Sequence, residues 1–165
     1  MARQDETETA VTPGMANAQN SQDARNPQDA QAERRTAYQA QIVTHNSSSC
    51  IAACVASLLQ QELPPTRIMI LDNASQDNTA DVLRLQVAQL VAAHPATIDL
   101  SIHINQTNIG YAAGHNHGLR AAPDTLGLQE SHVFTVNPDV VFAPDYAQKA
   151  IARAQAIGSQ ETRVG

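Results

Sequence analysis

Four short apolar runs, each leading into a polar turn, recur along residues 40 to 155 and are separated by stretches with helical spacing. Residues 40–44 are β-branched and predict a first strand. His45-Asn46-Ser47-Ser48 follows as a turn in which Ser47 or Ser48 can cap a helix. Ile51, Cys54, Leu58 and Leu59 then repeat at helical spacing, predicting an amphipathic helix over about 49–61 that Pro64-Pro65 stops. Residues 67–71 are nearly all apolar, as a strand covered on both faces should be, and end in Asp72-Asn73-Ala74-Ser75. A second helix over about 78–93 places Leu83, Val87, Leu90 and Val91 on one face, and Pro95 closes it. Residues 97–104 alternate like a third strand. A glycine-rich stretch from Asn105 to Gly118 leads into a short helix ending near Ala122, and 123–130 reads as a loop. The run His132 to Val136 is a fourth strand, and Pro138, lacking an N–H, should end its pairing. Pro144 opens a last helix that Gly158 ends.

Strand alternating with helix four times predicts an α/β fold, a doubly wound and mostly parallel sheet with flanking helices. In such sheets ligands bind beyond the carboxyl ends of the strands. Three polar loops should therefore share one rim: 44–48, 72–77 and 137–139. Asp72 and Asp139 stand at strand tips, where a carboxylate can accept from a base or ribose, hold a hard cation, or cap the following turn. Asp77 reads as a helix cap. Gly110, Gly114 and Gly118, four apart, let a backbone approach a diphosphate or pack a helix tightly on a sheet. They do not form G-x-G-x-x-G and follow the third strand, which leaves a dinucleotide-dependent oxidoreductase the weakest reading. His115 and His117 lack a third ligand at fitting spacing and read as loop or pocket-wall residues, as His45 reads as a rim residue. No Ser–His–Asp arrangement can be nominated.

Composition narrows the partners. Within 165 residues, residues 1–36 carry few large apolar side chains and predict a disordered tail, leaving 37–165 as one domain. A net charge of −6 with a single lysine, Lys149, argues against nucleic acid or an anionic membrane as the main partner. A phosphate-bearing ligand stays open, because backbone amides or a metal can supply positive potential. No run reaches the ~20 apolar residues of a membrane span, and no signal core follows Met1, so the expected compartment is the cytoplasm. The Asn-x-Ser/Thr triplets at Asn46, Asn73 and Asn105 are then chance matches. Cys50 and Cys54, one helical turn apart, read as core residues.

Taken together, Ile42-Val43-Thr44-His45-Asn46-Ser47, Leu71-Asp72-Asn73-Ala74-Ser75-Gln76-Asp77-Asn78-Thr79, Asn108-Ile109-Gly110-Tyr111-Ala112-Ala113-Gly114-His115-Asn116-His117-Gly118 and Val136-Asn137-Pro138-Asp139-Val140 resemble the amino-terminal half of a family 2 glycosyltransferase of the GT-A type, in its rhamnosyltransferase-like flavour. The resemblance implies a GT-A, Rossmann-like half in which Thr44, Asn46, Asp72 and Asn73 hold base and ribose. Asn108, Gly110 and Asn116 would line the nucleotide and diphosphate. Asp139 would bind a Mg²⁺ or Mn²⁺ ion, with Asn137 in place of the first acid of the family's Asp-x-Asp element. It implies metal-assisted transfer of a sugar, with inversion, from a dTDP- or UDP-sugar to a hydroxyl of a glycan or polysaccharide precursor. The family's general base lies well downstream of Asp-x-Asp, so no base is expected within this chain, and Asp145 reads as helix-start charge. The carboxyl-terminal acceptor half is expected to be absent, and a truncated donor-binding remnant without transferase activity is the alternative.

Overall fold

The computed structural model describes residues 37–121 and 132–161. The polar segment 1–36 and the whole of the expected loop at 123–130 lie outside them. Strand β1 is Tyr38–Thr44, α1 is Ile51–Leu59 and β2 is Arg67–Asp72. Helix α2 begins as Thr79–Val82, widens into a π turn at Leu83–Val87 and closes as Ala88–Ala92. Then follow β3 (Asp99–Ile104), α3 (Tyr111–Ala121), β4 (His132–Val136) and α4 (Tyr146–Glu161). The strands form one parallel sheet in the order β3-β2-β1-β4. This is the doubly wound, parallel α/β architecture that the alternation of strand and helix predicts.

Alternation along the two central strands decides which helix lies on which face. Tyr38, Ala40 and Ile42 of β1, Ile68 and Ile70 of β2, and Phe134 and Val136 of β4 pack with Ile51, Cys54, Val55 and Leu58 of α1, Leu83, Val87 and Val91 of α2, and Ala147 and Ile151 of α4. The core sits there, and each large side chain removed from water adds roughly 1.5–3 kcal/mol. The opposite face presents Gln41, Val43, Met69 and Leu71 to α3. Glycine lets that helix lie close: a Cβ at Gly114 would come 3.0 Å from Val43, and one at Gly118 would meet Gln41 Nε2 at 2.4 Å.

Four expectations shift. Leu90 does not join the buried face of α2; it is exposed while Leu83, Val87 and Val91 are buried. The π turn adds a residue to one helical turn and so rotates the remainder of the helix out of the 3.6-residue phase. The glycine-rich stretch is helical from Tyr111, so His115 and His117 stand on α3 and not in a loop. No side chain caps α1; the Ser47 carbonyl instead accepts from Cys50 and Ile51 at 3.1 and 3.0 Å. Helix α4 runs past Gly158 to Glu161.

Candidate functional site

The sheet register brings the predicted rim together. Thr44 pairs with Asp72 and Asp72 with Ile104, so β1, β2 and β3 end level. Strand β4 stops with Val136 opposite Ile42, and its turn begins beside the last residues of β1.

The first two loops are knitted to each other. Thr44 Oγ1 donates to Asp72 Oδ1 at 2.9 Å, and the Ser75 hydroxyl donates to the same oxygen. The Ser75 amide reaches Asp72 Oδ2 at 3.1 Å. Asp72 is only 1% exposed, so its carboxylate braces the turn after β2. Asn73, 2% exposed, also turns inward; its Oδ1 accepts from Ile109 N at 2.9 Å and Asn105 Nδ2 at 3.2 Å. Thr44 is fully buried. Thus three residues expected to touch base or ribose form the frame, fixing where the loops can present their exposed groups.

Asn46 is such a group. It is exposed, left-handed at φ 51°, with its amide donating to Ser75 Oγ at 2.8 Å and its Oδ1 accepting from Gln76 N at 2.8 Å. Across from it Ala74 also adopts a positive φ, 58°. That conformation costs a residue with a Cβ roughly 1–2 kcal/mol, and such strain gathers where surrounding structure over-determines a loop. Asp77 accepts from Thr79 N at 2.9 Å and from Ser48 Oγ at 2.7 Å. Asn78, and not Asp77, holds the N-cap position of α2 and makes no side-chain cap bond; Asp77, one residue earlier, satisfies the first helical amide and ties that start to the first loop. The Thr79 hydroxyl, which also donates to Oδ1, and the Ser48 hydroxyl hold its carboxyl well below the usual carboxylate range.

The glycine-rich stretch enters the rim from β3. Asn108 is exposed and its Oδ1 accepts from Gly110 N at 2.9 Å; Gly110 has φ +86°, a conformation that favours glycine. Asn116 is exposed too, but it lies well inside α3, about 7 Å along the helix axis from Tyr111 at 1.5 Å per residue. His115 is 7% exposed, its ring edge-on to Tyr111 at 4.4 Å, and neither ring nitrogen has a hydrogen-bond partner among the described residues. Burial pushes its pKa down, so the neutral imidazole is the resting form. His117 sits beside His103 of β3, the rings 6.2 Å apart.

The fourth loop carries Asp139, exposed at its tip. Helix α1 anchors this loop through a polar stripe at one-turn spacing. Cys54 Sγ donates to Asn137 O at 3.6 Å, and Phe142 N donates to Ser57 Oγ at 3.1 Å. Gln61 binds Ala143 O at 2.8 Å and accepts from Ala147 N at 2.9 Å. The Cys54 thiol is pushed up to about 12, by burial first and then by Cys50 and Asp139, so it stays protonated. From the other side Tyr111 OH donates to Asn137 Oδ1 at 2.8 Å. Sequence reasoning passed over Ser57, Gln61 and Tyr111. The i, i+3, i+7 spacing of Cys54, Ser57 and Gln61 was the available signal, but it did not name the loop they hold.

Among the described residues no three His, Cys, Asp or Glu side chains cluster as metal ligands. A single exposed carboxylate is nevertheless a donor set that fits Mg²⁺ or Mn²⁺ when the ligand's diphosphate supplies other oxygens, since such ions are held by one or two carboxylates plus phosphate.

A family model for glycosyl transferase family 2 matches residues 40–160, most of the chain and all four rim loops. The chain belongs to glycosyl transferase family 2. No curated protein matches it. Among solved structures, S. aureus TarS 1–349 aligns at 21% identity and a TM-score of 0.54, covering 70% of this chain and 31% of TarS 1–349. TarS 1–349 with UDP aligns at 22% identity and 0.54, with 70% and 31% covered. The same protein with UDP-GlcNAc aligns at 21% and 0.51, with 70% and 30% covered. The chain thus spans about a third of the length of these structures, and the likeness is one of fold. Among the described residues no helix is long and apolar enough to cross a membrane.

Proposed function

We propose that the rim binds a nucleoside diphosphate sugar and that the chain serves the donor side of sugar transfer to an acceptor hydroxyl with inversion. The observation that carries this reading is the placement of Asp139. The β4 turn exposes it at the carboxyl end of the sheet, while Thr44, Asp72 and Asn73 lock the neighbouring loops. A family 2 match over 40–160 supplies the reaction class. Asn46 and the loop after β2 would meet the nucleoside, and Asn108 and the Gly110 amide the diphosphate. Asn116 stands too far along α3 to share that edge without a ligand extending over the helix. Asp139 would hold a Mg²⁺ or Mn²⁺ ion, which when bound offsets the charge developing on the departing diphosphate.

In the proposed reaction the bond between the anomeric carbon and the diphosphate oxygen breaks, the acceptor oxygen bonds from the opposite face, and the acceptor's proton passes to a general base. Asp145 is a poor choice for that base: Lys149 pairs with it one turn on and lowers its pKa. Donor binding is therefore the step this chain's own residues account for. TarS is known with UDP and UDP-GlcNAc, which makes UDP the first probe to use, beside the dTDP that the sequence resemblance favours. Calorimetric titration with UDP, dTDP and GDP, each with and without Mn²⁺, tests the reading. At least one should bind and bind tighter with metal; silence with all three would remove it. Donor hydrolysis would then separate a working transferase segment from a binding remnant.

A further inference from the structure

Position 137 is an asparagine where the resembled Asp-x-Asp element has an acid, and a lost carboxylate is the simple way to see that exchange. The hydrogen bonding around it says more. Asn137 is exposed, and its Oδ1 is the acceptor for Tyr111 OH at 2.8 Å. Its backbone carbonyl is held separately, by the Cys54 thiol at 3.6 Å and the Val140 amide at 3.3 Å. An amide has one acceptor end and one donor end. With Oδ1 turned toward the tyrosine, the Nδ2–H₂ group is the end turned away from it and offered to a ligand. Tyr111 is 51% exposed, and its ring rests edge-on against buried His115 at 4.4 Å, which directs its hydroxyl toward Asn137.

We propose that Tyr111 is a positioning residue that fixes the Asn137 amide with its NH₂ toward the cleft. Asn137 is then a hydrogen-bond donor to a phosphate oxygen of the bound nucleotide, and not a second metal ligand beside Asp139. The inference rests on the nucleotide-binding reading and deepens it. It explains chemically why asparagine stands here: an aspartate would meet a phosphate oxygen with like charge and with no hydrogen to give.

The two roles predict opposite signs for Asn137→Asp. A donor lost, with negative charge added, weakens UDP binding about tenfold, in line with a hydrogen bond to a charged or polar ligand group. A metal ligand restored would tighten the Mn²⁺-dependent part. The experiment titrates UDP and uridine, each with and without Mn²⁺, into the wild type, Asn137→Asp and Tyr111→Phe, with melting temperatures and the Asn137 side-chain ¹⁵N resonance recorded without ligand. Asn137→Asp should weaken UDP in both metal conditions. Tyr111→Phe should shift the Asn137 resonance and weaken UDP several-fold at an unchanged melting temperature. Loss confined to UDP supports the proposal, and an equal loss with uridine, which has no phosphate, overturns it. Tighter Mn²⁺-dependent binding by Asn137→Asp overturns it while leaving nucleotide binding intact. So does a Tyr111→Phe protein whose Asn137 resonance does not move, a result readable with no nucleotide present. A wild type that binds no nucleotide removes both this inference and the reading beneath it.

Discussion

At the scale of single residues, the rim separates side chains that build it from side chains that face outward. Asp72, Asn73 and Asp139 look alike in sequence, each a polar group just past an apolar strand. Only Asp139 is exposed; Asp72 and Asn73 are buried and hydrogen-bonded by Thr44, Ser75, Asn105 and Ile109. That difference is not legible in a sequence, because it depends on which neighbouring loop lies within hydrogen-bond reach. The Tyr111–Asn137 bond joins positions 26 apart and was equally hidden. His115 supplies a prediction at this scale. Its folded pKa is depressed by burial, below the ordinary value near ~6.5. The unfolded chain therefore binds a proton more readily, and the stability gained from keeping the ring neutral is present above that value. It is lost as pH falls from there through the folded pKa. Melting temperature should drop between about pH 7 and pH 5, and His115→Gln should flatten part of that drop. A variant with the wild-type slope would show that His115 does not couple to folding.

At the scale of elements, most of the fold was readable and the exceptions have physical causes. Residues 68–71 announced a strand buried on both faces, and they form one. Leu90 was misplaced because a uniform 3.6-residue period was assumed across a helix that contains a π turn. Leu83→Ala should therefore cost about 2–5 kcal/mol, whereas Leu90→Ala should cost less than about 1 kcal/mol, the usual range for an exposed position. Urea denaturation of the two variants checks this; equal losses would argue for the unbroken helix. Helix α3 offers a second test. A Cβ at Gly118 meets Gln41 Nε2 and Met69 Sδ, both flexible ends, yet Gln41 Nε2 donates to the His115 carbonyl at 2.5 Å. Moving it breaks a buried bond, so Gly118→Ala should destabilise by about 1–3 kcal/mol. The sequence left open whether the glycines serve a diphosphate or helix packing. Gly114 and Gly118 pack against the sheet, whereas a Cβ at Gly110, which is exposed at φ +86°, would meet nothing among the described residues, and it is this glycine that the proposed site sets against the diphosphate.

At the scale of the whole molecule, a parallel sheet aligns three loop ends, and the fourth loop is held by α1 from one side and α3 from the other. The four motifs were recognisable because each is a local pattern; that they converge followed from strand order, which the alternation of strand and helix already constrained. The central claim is that Asp139 makes this rim a metal-assisted nucleotide site. Calorimetric titration of UDP into the wild type and Asp139→Ala, each with Mn²⁺ and again after chelation, tests it most directly. The expected result is that Mn²⁺ tightens UDP binding to the wild type by tenfold or more, about 1.4 kcal/mol, that chelation reverses the gain, and that Asp139→Ala binds UDP equally with and without metal at an unchanged melting temperature. An Asp139→Ala protein that keeps the full Mn²⁺ enhancement would contradict it.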